Sequence, residues 1–211
     1  EGVRLRDTAT WDLVRSLRGA SGPPAFSPDG KRLATDSRQG ITLWSLENGQ
    51  VDLVVPGSTN LFFRGGPLLG NEHALTFSSD GKNLIAARNT ASERGVFVLS
   101  LWDTASGAEV AVLPGDPERS EHTSMIVSVL LSPDGRTLAT ASFDHSVRLW
   151  DLSERRLLTT LQGHRSEVWS VAFSPDADLL ASGGLDGSVK AWHASTGREA
   201  LSITPAKWVH A

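Results

Sequence analysis

The 211-residue chain (22.6 kDa) carries a formal net charge of −4, with 39% hydrophobic and 21% charged residues, enough apolar content for a sizeable core in one or two domains. No apolar run approaches the roughly 18–20 residues of a membrane-spanning helix, and the scattered basic residues give no footprint for nucleic acid. The lack of cysteine excludes disulfides, thiolate nucleophiles and cysteine-ligated zinc.

With 20 Gly, 10 Pro and 7 Trp, the composition predicts many short strands joined by tight turns. In chain order, residues 1–19 open on Gly2-Val-Arg-Leu-Arg-Asp7, an alternating strand, and Leu13 to Leu17 read as a second strand. Residues 20–56 carry the turn Phe26-Ser-Pro-Asp-Gly30, then Ile41-Thr-Leu-Trp44 and the turn Asn48-Gly49. Pro23 and Pro24 fall in the strand before the first turn, where two missing ladder donors predict weak or distorted pairing.

Residues 57–114 repeat the order with Phe77-Ser-Ser-Asp-Gly81 and Leu99-Ser-Leu-Trp102, lengthened by an insertion at 89–95. Residues 115–162 carry Leu131-Ser-Pro-Asp-Gly135, Leu138-Ala-Thr-Ala-Ser142 and Val147-Arg-Leu-Trp150. Residues 163–205 carry Phe173-Ser-Pro-Asp-Ala177, Leu179-Leu-Ala-Ser182 and Val189-Lys-Ala-Trp192. Residues 206–211 start a further unit, since Trp208-Val-His-Ala211 lines up with Glu167-Val-Trp-Ser170.

Each full unit reads as four strands, a to d. Strand a is apolar on both faces, as expected of a strand buried on two sides. Strand b is the short apolar run after the Ser-Pro-Asp-Gly turn, strand c alternates and closes on Trp, and strand d follows a second turn. The Trp-to-Trp intervals are 58, 48 and 42 residues, so the unit recurs with variable loops. Residues 1–19 supply only strands c and d, with Arg6 in the Trp position and Trp11 where the turn glycine normally stands.

The pairs Trp102-Asp103 and Trp150-Asp151, the Gly163-His164 pair and the recurring Ser-Pro-Asp-Gly turns resemble WD40 repeats along nearly the whole chain. The resemblance implies an all-β fold: a β-propeller of four-stranded antiparallel blades, four of them full and partial blades at both ends. The terminal pieces supply no strand b, so we expect an incomplete ring, an internal portion of a longer propeller.

Two repeats share a polar set at identical offsets: His122, Thr140, Asp144 and Trp150, then His164, Ser182, Asp186 and Trp192. A hydroxyl, an imidazole and a carboxylate are also the parts of a hydrolase triad. Two copies argue against one unique active site, and a triad needs an exposed nucleophile. In WD40 repeats the resembling positions form a buried relay in which Trp donates to the hydroxyl, the hydroxyl meets the imidazole, and the imidazole meets Asp. The expectation is two structural tetrads and no catalytic residue. Residues 20–56 keep only Thr35 and Trp44 of this set. In residues 57–114, Ala86 stands for the hydroxyl and Leu68 for the His, so the first two blades form the less stable half.

The resemblance also implies that partners bind the face shared by the d–a and b–c loops. Matching positions are Arg165, Glu167 and Trp169 in the last repeat, Met125, Val127 and His145 in the third, and Asn71 and His73 in the second. Trp169 is the aromatic candidate among them, against the plainer alternative of packing between blades. His73, His193 and His210 form no metal-ligating spacing, and no phosphate-binding Gly-rich loop occurs, so no metal or other cofactor is expected.

The leading reading is a non-catalytic scaffold holding a protein or peptide partner through its top face. The alternative is a regulatory or sensor propeller portion of a larger enzyme or signalling protein, linked to a kinase or NTPase domain. No nucleic-acid or membrane partner is expected, and further blades of the same full-length chain are a candidate partner. Residues 1–4 lack signal-peptide character, which together with the missing cysteine leads us to expect a cytoplasmic location.

Overall fold

A computed structural model describes residues 2–19, 21–37, 40–55, 75–90, 96–113 and 122–204. All its regular elements are strands. A two-stranded sheet pairs β1 (Gly2–Arg6) with β2 (Leu13–Arg18). Four sheets of four antiparallel strands follow in chain order. The first contains β3 (Ser21–Phe26), β4 (Arg32–Ser37), β5 (Gly40–Ser45) and β6 (Val51–Val55). The second contains β7 (Leu75–Phe77), β8 (Asn83–Thr90), β9 (Val96–Asp103) and β10 (Glu109–Leu113). The third contains β11 (Ile126–Leu131), β12 (Thr137–Ser142), β13 (Ser146–Asp151) and β14 (Arg156–Gln162). The fourth contains β15 (Val168–Phe173), β16 (Leu179–Gly184), β17 (Val189–His193) and β18 (Glu199–Ile203). Each four-stranded sheet is a meander, the a-b-c-d order of a propeller blade.

The register is repeated from sheet to sheet. The strand-c Trp lies directly opposite a strand-b Leu each time: Trp44 and Leu33, Trp102 and Leu84, Trp150 and Leu138, Trp192 and Leu180. All four Trp are buried, and burying such a Leu contributes about 1.5–3 kcal/mol. The face bearing each Trp packs on the sheet before it. Trp44 and Leu33 meet Leu17, Val3 and Leu5, and Trp102 meets Ile41 and Leu43. Likewise Trp150 meets Leu99 and Leu101, and Trp192 meets Val147 and Leu149. The core is therefore a series of four apolar layers between successive sheets.

Two turn types recur because the same residues supply the same backbone partners. In the a–b turn, Ser27 Oγ accepts from the Arg32 N–H at 2.9 Å and donates to Asp29, which also accepts from the Lys31 N–H. Ser78 with Asp80, Ser132 with Asp134 and Ser174 with Asp176 repeat this arrangement. In the c–d turn, a residue with positive φ donates its N–H four residues back, as Gly49, Gly107 and Gly197 do. Trp11 occupies this position in the first hairpin at φ 62°, and Arg155 in the third sheet at φ 54°. Neither has glycine's freedom there, so each holds a conformation costing about 1–2 kcal/mol.

The strand containing Pro23 and Pro24 is displaced in its pairing. Ser21 lies opposite Asp36 and Ala25 opposite Ala34, so four steps on β3 match two on β4. In the third and fourth sheets the same edge gains one residue, not two, at Ile126/Ser128 and Val168/Ser170. Prolines that cannot donate leave a longer stretch out of the ladder. In the second sheet, the β8–β9 hairpin runs on to the pair Thr90 and Val96, and Phe97 bridges to His122.

Candidate functional site

The third and fourth sheets bring both polar sets together. His122 Nε2 lies 2.7 Å from Thr140 Oγ1, which also accepts the Trp150 indole N–H at 3.0 Å. His122 Nδ1 meets Asp144 Oδ2 at 2.8 Å. In the next sheet His164 Nε2 lies 2.8 Å from Ser182 Oγ, the Trp192 N–H donates to that oxygen at 2.8 Å, and Nδ1 faces Asp186 Oδ2 at 3.1 Å. With the Trp donating to the hydroxyl oxygen, the hydroxyl proton is free to go to Nε2, which places the ring proton on Nδ1 facing the carboxylate.

Each carboxylate is also tied to the backbone. Asp144 accepts the Thr123 N–H at 3.1 Å and the Ser146 N–H at 3.0 Å; Asp186 accepts the Arg165 N–H at 2.7 Å and the Ser188 N–H at 2.9 Å. The relay therefore fixes the loop before strand a to the b–c turn of the same sheet. Burial pulls the Asp144 carboxyl upward, but His122, Ser146 and the Thr123 N–H outweigh it and hold Asp144 well below the usual carboxylate range. For Asp186 burial acts in the same upward direction and is outweighed by Ser188, the Arg165 N–H and His164.

The geometry answers the triad reading. Thr140 and Ser182 are 0% and 2% exposed, and both oxygens are already engaged by an indole and an imidazole. A nucleophile must reach substrate, and neither hydroxyl does. Among the described residues no cluster of His, Asp and Glu is arranged to hold a metal ion.

Among the described residues, the first two sheets lack this relay. Trp44 still donates to Thr35 Oγ1 at 2.8 Å. In the second sheet Ala86 offers Trp102 no oxygen, and Ser100, directly opposite Ala86, has a fully buried hydroxyl with no partner among the described residues.

The candidate surface residues divide by exposure. Trp169 is half-buried, its ring 5.0 Å from Phe143 of the third sheet at 49°. Its indole N–H is enclosed and has no partner among the described residues. Glu167 is half-buried and its carbonyl accepts the Leu185 N–H at 2.9 Å. Ser166 chiefly, with help from the neighbouring His145, holds the Glu167 carboxyl below its ordinary value. His145 is exposed at φ 69° in the b–c turn of the third sheet, and Arg165 is exposed beside the relay of the fourth sheet. Met125 is half-buried and its carbonyl accepts the Phe143 N–H. Val127 is only 6% exposed, at the register shift between Ile126 and Ser128, so it offers a partner almost no side chain. Asn71 and His73 lie outside the described residues, as do 91–95 of the insertion and the candidate strand at 206–211.

Sequence reasoning missed Phe143 and the two serines Ser146 and Ser188. A signal for the serines was available, since both relay carboxylates stand in Asp-x-Ser. Phe143 and Leu185 occupy the same place, just before the relay Asp; Phe143 meets Trp169 of the following sheet, whereas Leu185 is exposed.

Comparison with known proteins agrees with this architecture. The WD40 family profile (WD domain, G-beta repeat) matches residues 115–151 and 155–193, the segments that hold the two relays. A Schistosoma mansoni protein named WD repeat-containing protein SL1-17 is 32% identical over 157 residues, covering 70% of this chain and 44% of the relative. The Saccharomyces cerevisiae target of rapamycin complex subunit LST8 is 33% identical over 93 residues, 44% of this chain and 29% of that protein. A Schizosaccharomyces pombe guanine nucleotide-binding protein subunit beta is 31% identical over 99 residues, 47% and 28% respectively. The chain spans less than half the length of these relatives. WD40 repeats are in general a non-catalytic scaffold fold.

Proposed function

We propose that this chain, a carrier of WD40 repeats, is a non-catalytic scaffold that holds a protein or peptide partner on the surface shared by its third and fourth sheets. The observation that carries the reading is the inter-sheet pair of Phe143 and Trp169, flanked by His145, Glu167 and Arg165 and supported by two buried relays. The relays hold the loops that present these side chains, which lowers the ordering cost of binding. An aromatic anchor bordered by charges of both signs suits a polypeptide partner. The names of two relatives point the same way, one a complex subunit and one a guanine nucleotide-binding protein subunit. In this reading the chain contributes no catalytic group of its own, because its hydroxyl–imidazole–carboxylate sets are spent on structure.

The test is affinity capture of partners by the wild type and by a Trp169→Ala/Glu167→Ala variant. Loss of one or more partners from the variant, with unchanged thermal stability, supports the reading. Identical partner sets overturn it.

A further inference from the structure

The a–b turns of the four-stranded sheets follow one pattern, and two neighbouring turns depart from it. Pro28, Pro133 and Pro175 hold the place after the turn serine, whereas Ser79 stands there in the second sheet. The residue that opens strand b is Arg32, Asn83, Thr137 or Leu179 in turn, so only the first sheet has adjacent cations there, Lys31 and Arg32. The first and second turns meet at Pro28 and Gly81, where a Cβ on the glycine would lie 3.6 Å from Pro28 Cδ. Both residues line a groove of about 440 Å³ between the two turns.

The groove carries charge of both signs. Arg32 is held in place from two sides. Its Nε faces Asp52 Oδ2 at 3.4 Å, and its Nη1 donates to the Thr104 carbonyl of the second sheet at 3.1 Å. Arg32 Nη2, the exposed Lys31 ammonium and the exposed Ser79 hydroxyl are uncommitted among the described residues. Asp29 commits Oδ1 to the Ser27 hydroxyl and the Lys31 N–H, and Asp80 commits Oδ1 to the Ser78 hydroxyl and the Lys82 N–H. Each carboxylate keeps Oδ2 for another donor. Those bonds, the serine hydroxyl first, hold both carboxyls below their ordinary value, so both are ionised at neutral pH.

A lone anion in this groove would meet Asp29 and Asp80, and a lone cation would meet Lys31 and Arg32. A molecule carrying both charges suits both sets. The volume lies toward the lower end of the roughly 300–1,000 Å³ of small-molecule sites. We propose that the groove between the first two a–b turns binds a small zwitterion of the short-peptide class. Its carboxylate lies on Lys31 and Arg32, its ammonium on Asp80, and the Ser79 hydroxyl bonds the amide between them. The a–b and b–c turns close opposite ends of strand b, so this site is remote from Trp169 and independent of the partner proposed there.

The probe is glycylglycine, compared with its N-acetyl and C-amide forms and titrated into the whole chain with backbone amide NMR as the readout. We expect saturable shifts centred on residues 27–32 and 79–82, and binding weakened about fivefold by blocking either end. Lys31→Gln should weaken the free dipeptide about fivefold and leave the C-amide form, which has no carboxylate to lose, unchanged. Asp80→Asn should act in the same way on the free dipeptide and spare the N-acetyl form. If Asp80→Asn disturbs the turn, Ser79→Pro replaces it; it restores the residue of the other turns and should weaken all three forms alike. Trp169→Ala should change none of these affinities. The absence of saturable shifts at about 50 mM dipeptide overturns the proposal. So does equal binding of free and blocked forms, a shift pattern centred elsewhere, or a Lys31→Gln loss as large for the C-amide as for the free dipeptide.

Discussion

The first two sheets and the last two share strand order, register and the opposed Trp and Leu pairs, yet differ in how their buried polar groups are satisfied. In the third and fourth sheets each indole N–H ends in a chain through hydroxyl and imidazole to a carboxylate that also holds two backbone N–H groups. In the first sheet the chain stops at Thr35, and in the second Ala86 and the orphaned Ser100 leave none. Apolar packing between sheets is enough to build the blade; the relay adds attachment of the loops above it. The candidate binding surface sits on the half where the loops are attached.

The strongest way to break this contrast is Asp144→Ala. It leaves His122, the Thr123 N–H and Ser146 without their shared acceptor, and we expect a loss of about 3–5 kcal/mol in urea unfolding. A loss below about 1 kcal/mol would mean the relay is dispensable. Acid should erase the same advantage. Asp144 and Asp186 titrate below their unfolded-state value when folded, so their contribution is full above about pH 5 and is lost as the pH falls below about 4 toward the folded-state pKa. Amide exchange followed across this window should show the third and fourth sheets losing their lead over the first, and Asp144→Asn/Asp186→Asn should flatten the dependence.

A paired substitution sharpens the comparison at one position. Thr140→Val removes the acceptor of Trp150 and the neighbour of His122, whereas Thr35→Val affects Trp44 alone, so the first should cost about 1–2 kcal/mol more than the second. Equal costs would show that the imidazole adds nothing. Trp11→Gly and Arg155→Gly relieve positive φ and should each raise stability by about 1 kcal/mol in thermal melts. The smallest expected effect is at Ser100. Ser100→Ala discards a buried hydroxyl that has no partner among the described residues and should be neutral or stabilising by up to about 1 kcal/mol.

Much of this was legible from the chain. The strand-c Trp series, the turn chemistry and the two offset-matched polar sets are local patterns set by side-chain type and spacing, so the four-strand unit followed from them, while the role of the polar sets as relays was implied by the resemblance to WD40 repeats. The proline pair also announced the lapse in pairing on β3. Less local features were not readable. Val127 and its neighbour Ile126 on β11 are both buried, and only the packing between sheets covers both faces of that strand. The meeting of Phe143 with Trp169 depends on how two sheets stack, a relation between residues 26 positions apart with no shared motif.

The sequence by itself determined the repeat and the antiparallel order within each sheet, because hydrogen-bond ladders and turns are specified over short distances, and its resemblance to WD40 repeats pointed to the relay residues. Only the tertiary structure decided which apolar faces between the sheets are covered and which hydroxyls are sealed from solvent. Those are properties of the space between sheets, and that space exists only once the sheets have packed.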